Sequence, residues 1–143
     1  MTKTLQSVGL SRPGDAHRFP VRVYYEDTDM GGIVYHANYL KFIERARSDW
    51  VRAMGVDQVS MKQDDGVAFA VRRVEAEYLM AAKFDDQLDV VTRCLSVSGA
   101  RLVMEQQVLR GEDLIFSAIV TIVCINDAGQ PVRLPANIRL MLH

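Results

Sequence analysis

The stretch YYEDTDMGGIVYHANY (Tyr24 to Tyr39) holds three carboxylates, a glycine pair, one histidine and four tyrosines in sixteen residues. Two kinds of chemistry suit such a cluster. It could be an acidic loop that takes a metal, or a carboxylate set at the mouth of a helix to act on a polar substrate. A calcium loop of the EF-hand type wants oxygen ligands at positions one, three, five and twelve and Gly at six. Counted from Asp27, Asp29 and Gly32 fall in register, but position five is Gly31 and position twelve is Asn38. Two ligands are missing, the bidentate one among them, and the segment before the loop reads as a strand. Zinc fits no better, because Cys94 and Cys124 are thirty residues apart and His17, His36 and His143 have no ligand spacing. No metal and no cofactor is expected.

The catalytic reading is stronger. A strand that turns through Gly31-Gly32 into a helix aims the helix's first N–H groups at the loop. Such donors polarise a carbonyl and hold the oxyanion formed when it is attacked. A carboxylate opposite them activates water or attacks directly. Asp29 immediately precedes the glycine turn region and is the better-placed acid; Glu26 and Asp27 read as solvated loop acids. By charge alone, Asp29 would equally serve to complement the helix dipole, and His36 would serve as a hydrogen-bonded helix-start residue. Tyr25 and Tyr35 are candidates to face the site, and Tyr39 reads as core.

The elements that position this loop follow from hydrophobic periodicity. FPVRVYY (Phe19 to Tyr25) reads as a strand, after a polar, aperiodic lead-in over residues 1–18. From about Ala37, Tyr39, Leu40, Ile43, Ala46, Trp50, Val51 and Met54 recur at spacings of three and four, with charged residues between. That pattern predicts an amphipathic helix roughly 27 Å long, with Asn38 as N-cap and Gly55 as its stop. Beyond Gly66, VAFAVRRVEAEYL, QLDVVTRCLSV, RLVMEQQVLR and LIFSAIVTIVCI read as strands joined by short turns, hence a mainly antiparallel sheet. LIFSAIVTIVCI is apolar nearly throughout and is expected to be a central strand buried on both faces. One long helix on about five strands makes a single α+β domain over residues 19–143. A lone helix leaves apolar strand surface and sheet edges uncovered, so a homodimer at least is expected.

Composition narrows the partners. At 143 residues and a net charge of −1, the chain has no excess of Lys and Arg for nucleic acid. It has no apolar run long enough to span a membrane and no leader-like segment at its start, and its two cysteines read as buried thiols. Together these suggest a cytoplasmic setting.

The stretch VRVYYEDTDMGGIVYHANYLKFIERAR resembles the hotdog-fold acyl-CoA thioesterases. It is most similar to the Tol-Pal-associated subgroup, related to the 4-hydroxybenzoyl-CoA thioesterases. The likeness continues through VEAEYLMAAKFDDQLDV to Arg133–Pro135. It implies a hotdog fold, with a long central helix packed on a curved sheet, and a homodimer, often assembled into a tetramer. It also implies that Asp29 is the catalytic carboxylate, that the backbone amide at His36 polarises the thioester carbonyl, and that Tyr25 is a further site residue. Gly32, Val34 and Tyr35 would then line the substrate beside that amide.

CoA phosphates call for cations, for which Lys83, Arg101 and Arg133 stand in or beside predicted turns; one of Arg72 and Arg73 is an alternative. A second branch of the superfamily uses a helix Glu. Here Glu44 lies three residues from both Lys41 and Arg47 and reads as an exposed ion-pairing residue. Two other functions stand beside hydrolysis. One is a hotdog dehydratase, whose His–Asp or His–Glu motif differs from DTDMGG. The other is a non-catalytic partner of acyl carrier or lipid-synthesis proteins at the inner face of the envelope.

Overall fold

The computed structural model describes residues 16–136, 138 and 139. The elements used below are β1 (His17–Arg22), α1 (Asn38–Ala53), β2 (Val67–Tyr78), β3 (Gln87–Ser98), β4 (Arg101–Arg110) and β5 (Asp113–Asn126). The five strands form one antiparallel sheet in the order β1-β3-β4-β5-β2, and α1 packs on one of its faces. Register shifts at Val71/Arg73, Cys94/Ser96 and Val108/Leu109 bend the ladders; such bulges raise local twist and curve a sheet around its helix.

Helix α1 buries Tyr39, Phe42, Ile43, Ala46, Trp50 and Val51 against the sheet. Full burial of a large apolar side chain such as Phe42 or Ile43 contributes about 1.5–3 kcal/mol. Phe42 takes the core place that spacing gave to Leu40, which is exposed. Buried polar groups fix the helix's register on the strands. Gln106 of β4, fully buried, donates through Nε2 to the Ile43 carbonyl (2.9 Å) and to Thr92 Oγ1 (2.9 Å). Its Oε1 accepts from the Arg47 guanidinium (3.0 Å), so no buried side-chain N or O among the described residues lacks a partner. Desolvation lowers the Arg47 pKa from its usual value.

Several expectations are corrected. Strand β1 begins two residues earlier than Phe19 and ends at Arg22, and Tyr25 falls in a 3-10 turn, Tyr25–Asp27. Polar His17 and Arg18 are held in the strand by pairing with β3, by a hydrogen bond between His17 Nε2 and Asp49 of α1 (2.8 Å) and by the Arg18–Asp89 ion pair (2.9 Å). The remainder of the expected lead-in, 1–15, lies outside the described residues, as does His143. Asn38 is not the N-cap: Ala37 is, and Asn38 opens the helix with its side chain turned to another task, described below. The helix ends at Ala53, about 24 Å long rather than roughly 27 Å, while the expected stop is in place: Gly55, next after the C-cap Met54, has φ +85. Two short helical turns, Gln58–Ser60 and Met61–Asp65, then lead to β2; the Asp57 carboxylate caps the first of them.

Strand β5 is interior to the sheet, but its burial alternates. Phe116, Ala118, Val120, Ile122 and Cys124 are buried beneath α1, whereas Ile119, Thr121, Val123 and Ile125 are only half-buried. Its apolar second face is the sheet surface that the single helix cannot reach. Cys94 and Cys124 are free thiols, and burial pushes both pKa values up. Among the described residues no helix is long and apolar enough to cross a membrane.

One surface cluster makes a testable contribution to stability. Asp86, in the turn before β3, accepts from the Lys83 N–H (2.9 Å) and from the Arg110 guanidinium (2.9 Å). Burial works to raise its pKa, but these donors outweigh it and leave the carboxyl below its ordinary value. A depressed folded pKa stabilises above the unfolded value, about 3.9, and that stabilisation fades as pH falls through the folded one. Asp86→Asn is therefore expected to lower the melting temperature at pH 7, with the gap from wild type closing below about pH 4. Thermal unfolding across pH 2.5–7 reads this out; a gap unchanged down to the lowest pH contradicts it.

Candidate active site

The acidic stretch folds into a tight hairpin between β1 and α1. Asp27 and Thr28 N–H groups bond back to the Tyr24 and Tyr25 carbonyls, closing the 3-10 turn. Thr28 then pairs with Val34 across the hairpin, and the Asp29 N–H bonds the Ile33 carbonyl (2.9 Å). At the tip, Gly32 bonds the Asp29 carbonyl with φ at +83, a conformation open to Gly without strain. At Gly31 the constraint is different: a Cβ there would stand 3.2 Å from Asp29 Oδ1 and press on the carboxylate.

Asp29 is exposed at this tip. Its Oδ1 accepts the Gly31 N–H (2.8 Å), which fixes the carboxylate's orientation; Oδ2 makes no hydrogen bond among the described residues. On the returning arm, Val34 bonds the Ala82 carbonyl (2.8 Å) and Tyr35 bonds the Asp27 carbonyl (2.8 Å). The N–H groups of the next two residues, His36 and Ala37, make no hydrogen bond among the described residues. One loop therefore offers an oriented carboxylate and, at the helix start, unpaired backbone donors.

Asp27, dismissed above as a solvated acid, is the anchor of this loop. It is buried, its Oδ2 accepts the Tyr24 N–H (2.9 Å), and its Oδ1 accepts from Asn38 Nδ2 (3.0 Å). Asn38 thus ties the first turn of α1 to the 3-10 turn rather than capping its own helix. The expected surface role of Glu44 is also modified: it is exposed, but it accepts from Ser48 Oγ (2.8 Å) and forms no ion pair with Lys41 or Arg47 among the described residues.

The other site candidates divide by position. Tyr25 is exposed and its ring lies flat on Phe84, with centroids 4.3 Å apart and planes 6° apart. His36 is exposed, with its ring beside Tyr35 and edge-on to Tyr78. Lys83 pairs with Ile33 and so stands against the hairpin. Arg101 and Arg133 do not join this group within one chain. Arg101 starts β4, whose far end, Arg110, touches the Ala81 and Asp86 side of the loop; the length of β4 is roughly 30 Å. Arg133 is beside the same distal turn, since Leu134 bonds the Gly99 carbonyl. Arg73 pairs with Glu75, and Arg72 is the extra residue of the β2 bulge.

Sequence reasoning missed Asp27, Asn38, Phe84 and Tyr78 as parts of this site. Asp27 and Asn38 carried a faint signal, a second acid two residues before Asp29 and a polar amide where an apolar helix face begins.

The thioesterase-like superfamily model matches residues 23–142, from just after β1 to well beyond β5. The chain belongs to that superfamily. Among thioesterase-like relatives, the acyl-CoA thioesterase YbgC of Haemophilus influenzae is 42% identical over 127 residues, covering 87% of this chain and 93% of the relative. The acyl-CoA thioester hydrolase YbgC of Escherichia coli is 42% identical over 123 residues, covering 85% and 91%. A probable thioesterase from Bartonella henselae, known as a crystal structure, superposes with a TM-score of 0.81 at 41% identity, over 84% of this chain and 99% of that one. The fold of this thioesterase-like chain is the hotdog fold, as its sequence led one to expect.

Proposed function

We propose that this chain is an acyl-CoA thioester hydrolase, converting an acyl-CoA and water to a free acid and CoA. The observation that carries the reading is the hairpin of residues 28–34. It sets the Asp29 carboxylate on one arm and leads on the other to unpaired N–H groups at the start of α1, in a chain 42% identical to acyl-CoA thioesterases along most of its length.

In the proposed step the thioester oxygen sits against the helix-start amides of His36 and Ala37, which stabilise the negative charge it gains on attack. Asp29 takes a proton from water as the hydroxyl adds to the carbonyl carbon. The tetrahedral intermediate then expels CoA thiolate, and the proton held on Asp29 returns to the sulfur. Direct attack by Asp29 through a mixed anhydride uses the same geometry. Tyr25, braced by Phe84, and His36 are positioned to orient the water or the acyl group. Lys83, an exposed cation against the hairpin, is the best placed of the proposed phosphate contacts; Arg101 and Arg133 would serve a molecule bound across a subunit boundary.

The uncovered surface supports a homodimer. Strand β2 is a twelve-residue edge whose Val71, Val74 and Tyr78 are exposed, and the outer face of β5 is apolar and half-buried. A long exposed strand edge beside an open apolar sheet face is normally paired or covered. Light scattering on the eluted protein is expected to give at least twice the 16.1 kDa chain mass; a monomer at micromolar concentration overturns the assembly.

The function itself is tested by thiol release over acyl-CoAs of graded chain length. Turnover is expected on at least one of them. Release from none would favour a binding role.

A further inference from the structure

The helix start that the proposed reaction uses is held from outside the loop, by a residue at the end of β2. Residues that open an α-helix normally give their carbonyls to N–H groups four positions on. His36 stands one residue before the N-cap Ala37, so its carbonyl lies outside this ladder. The Leu40 N–H bonds the Ala37 carbonyl at 3.1 Å and the Asn38 N–H bonds that of Tyr35 at 2.8 Å, and among the described residues the His36 carbonyl receives no backbone donor. Its partner is the hydroxyl of Tyr78, the last residue of β2, which donates to it at 2.9 Å.

The phenol ring is itself fixed. It stands edge-on to Phe116, with centroids 5.0 Å apart, and to Tyr39, 5.6 Å apart, and Tyr39 is stacked on Phe116 at 4.9 Å. The Tyr39 hydroxyl accepts the Ala82 N–H (3.2 Å). This aromatic group therefore ties the end of the sheet, the start of α1 and the segment facing the hairpin into one unit.

The His36 carbonyl and the Ala37 N–H belong to the same peptide plane. A donor on that carbonyl fixes the plane, and with it the direction of the Ala37 N–H and the exit of the His36 side chain. It also draws charge through the amide, strengthening the N–H as a donor, because hydrogen bonds in series polarise one another.

We infer that Tyr78 is a positioning residue for thioester hydrolysis: its hydroxyl sets the His36–Ala37 peptide whose N–H faces the developing oxyanion. The inference rests on the hydrolase reading given above. A donor misdirected by a fraction of an ångström stabilises the oxyanion less while still allowing substrate to bind, so the effect belongs in kcat.

The test is Tyr78→Phe in the full chain, which removes the hydroxyl and keeps the ring packing. Expected are a fall in kcat of about tenfold, a KM within about twofold of wild type, an unchanged melting temperature, and an upfield shift of the Ala37 amide proton. A second variant keeps the shape almost intact. With 3,5-difluorotyrosine at position 78 the phenol is more acidic, so its ionisation ends the donation and adds a descending limb to the pH dependence of kcat.

Wild-type kcat in Tyr78→Phe, a change in KM alone, or no new limb with the fluorinated residue would each overturn the assignment. If the wild-type chain releases no thiol from any acyl-CoA, the hydrolase reading fails separately. The Ala37 resonance then decides on its own whether Tyr78 sets this peptide: a shift in Tyr78→Phe sustains it, and an unmoved resonance ends it.

Discussion

Asp29→Asn is expected to bind an acyl-CoA and leave it largely unhydrolysed, with kcat lower by about 10²–10⁴-fold, the usual worth of a positioned general base. The substitution separates charge from shape. Asn keeps an oxygen that can accept the Gly31 N–H now held at 2.8 Å, so the hairpin tip and the Gly32 turn persist. It loses the basic lone pair and the negative charge, which the anhydride route needs as much as the general-base route. Each tenfold loss corresponds to about 1.4 kcal/mol of transition-state stabilisation. Because Asp29 is exposed and makes only this one side-chain hydrogen bond among the described residues, thermal stability is expected to change little. Steady-state kinetics with a titration of acyl-CoA binding tests the separation: weakened binding at unchanged kcat would make Asp29 a binding residue instead.

Asp27→Ala is expected to produce the larger loss of stability. The Asp27 side chain satisfies the Tyr24 N–H and the Asn38 amide in a buried setting. Removing it leaves the buried Asn38 amide and the part-buried Tyr24 N–H without partners, and a fully buried orphan of this kind costs about 1–3 kcal/mol. A loss of about 3 kcal/mol is therefore expected from urea unfolding, a sizeable part of the 5–15 kcal/mol that holds a typical domain together. Turnover should fall as well, since the contact joins the 3-10 turn to the first turn of α1 and so holds Asp29 in register with the helix-start amides. Asp27→Asn, which keeps one acceptor, should lie between. A cost below about 0.5 kcal/mol for Asp27→Ala, the range of ordinary surface substitutions, would show that Asp27 does not anchor the loop.

The two acids illustrate what sequence can and cannot disclose. The three carboxylates of YYEDTDMGG look alike as letters, and the glycine turn was enough to favour Asp29. Which of the remaining two folds inward depends on Asn38 arriving eleven residues later from the helix, a tertiary event that local pattern does not encode. The helix was legible because its spacing of three and four states which face is buried, yet Leu40 and Phe42 exchanged roles at the margin of that face. The strands were legible to within a few residues. The largest misses were both at β1, which ends three residues before Tyr25 in favour of a 3-10 turn and starts two residues early, where polar His17 and Arg18 are held by edge pairing, a hydrogen bond and an ion pair that hydropathy does not register.

Strand β5 shows another boundary. Its composition reads as two buried faces, but one chain supplies a helix for only one of them. Tyr78 was the least visible, because a hydroxyl at the end of a strand gives no sign of a carbonyl forty-two residues away. The basic residues were placed by turn chemistry alone. Turns occur at both ends of a sheet, so Lys83 reached the hairpin while Arg101 and Arg133 went to the other end.

Thiol release from a single acyl-CoA, followed in parallel for wild type, Asp29→Asn and Glu26→Gln, is the most direct measurement of whether this hairpin is the active site. Glu26 carries the same charge three residues away, is exposed, and has no side-chain hydrogen bond among the described residues, so it controls for loss of charge alone. Turnover by wild type and Glu26→Gln at the same rate, with Asp29→Asn at least about 100-fold slower, is the predicted result. A folded Asp29→Asn protein that turns over within a few-fold of wild type would contradict it.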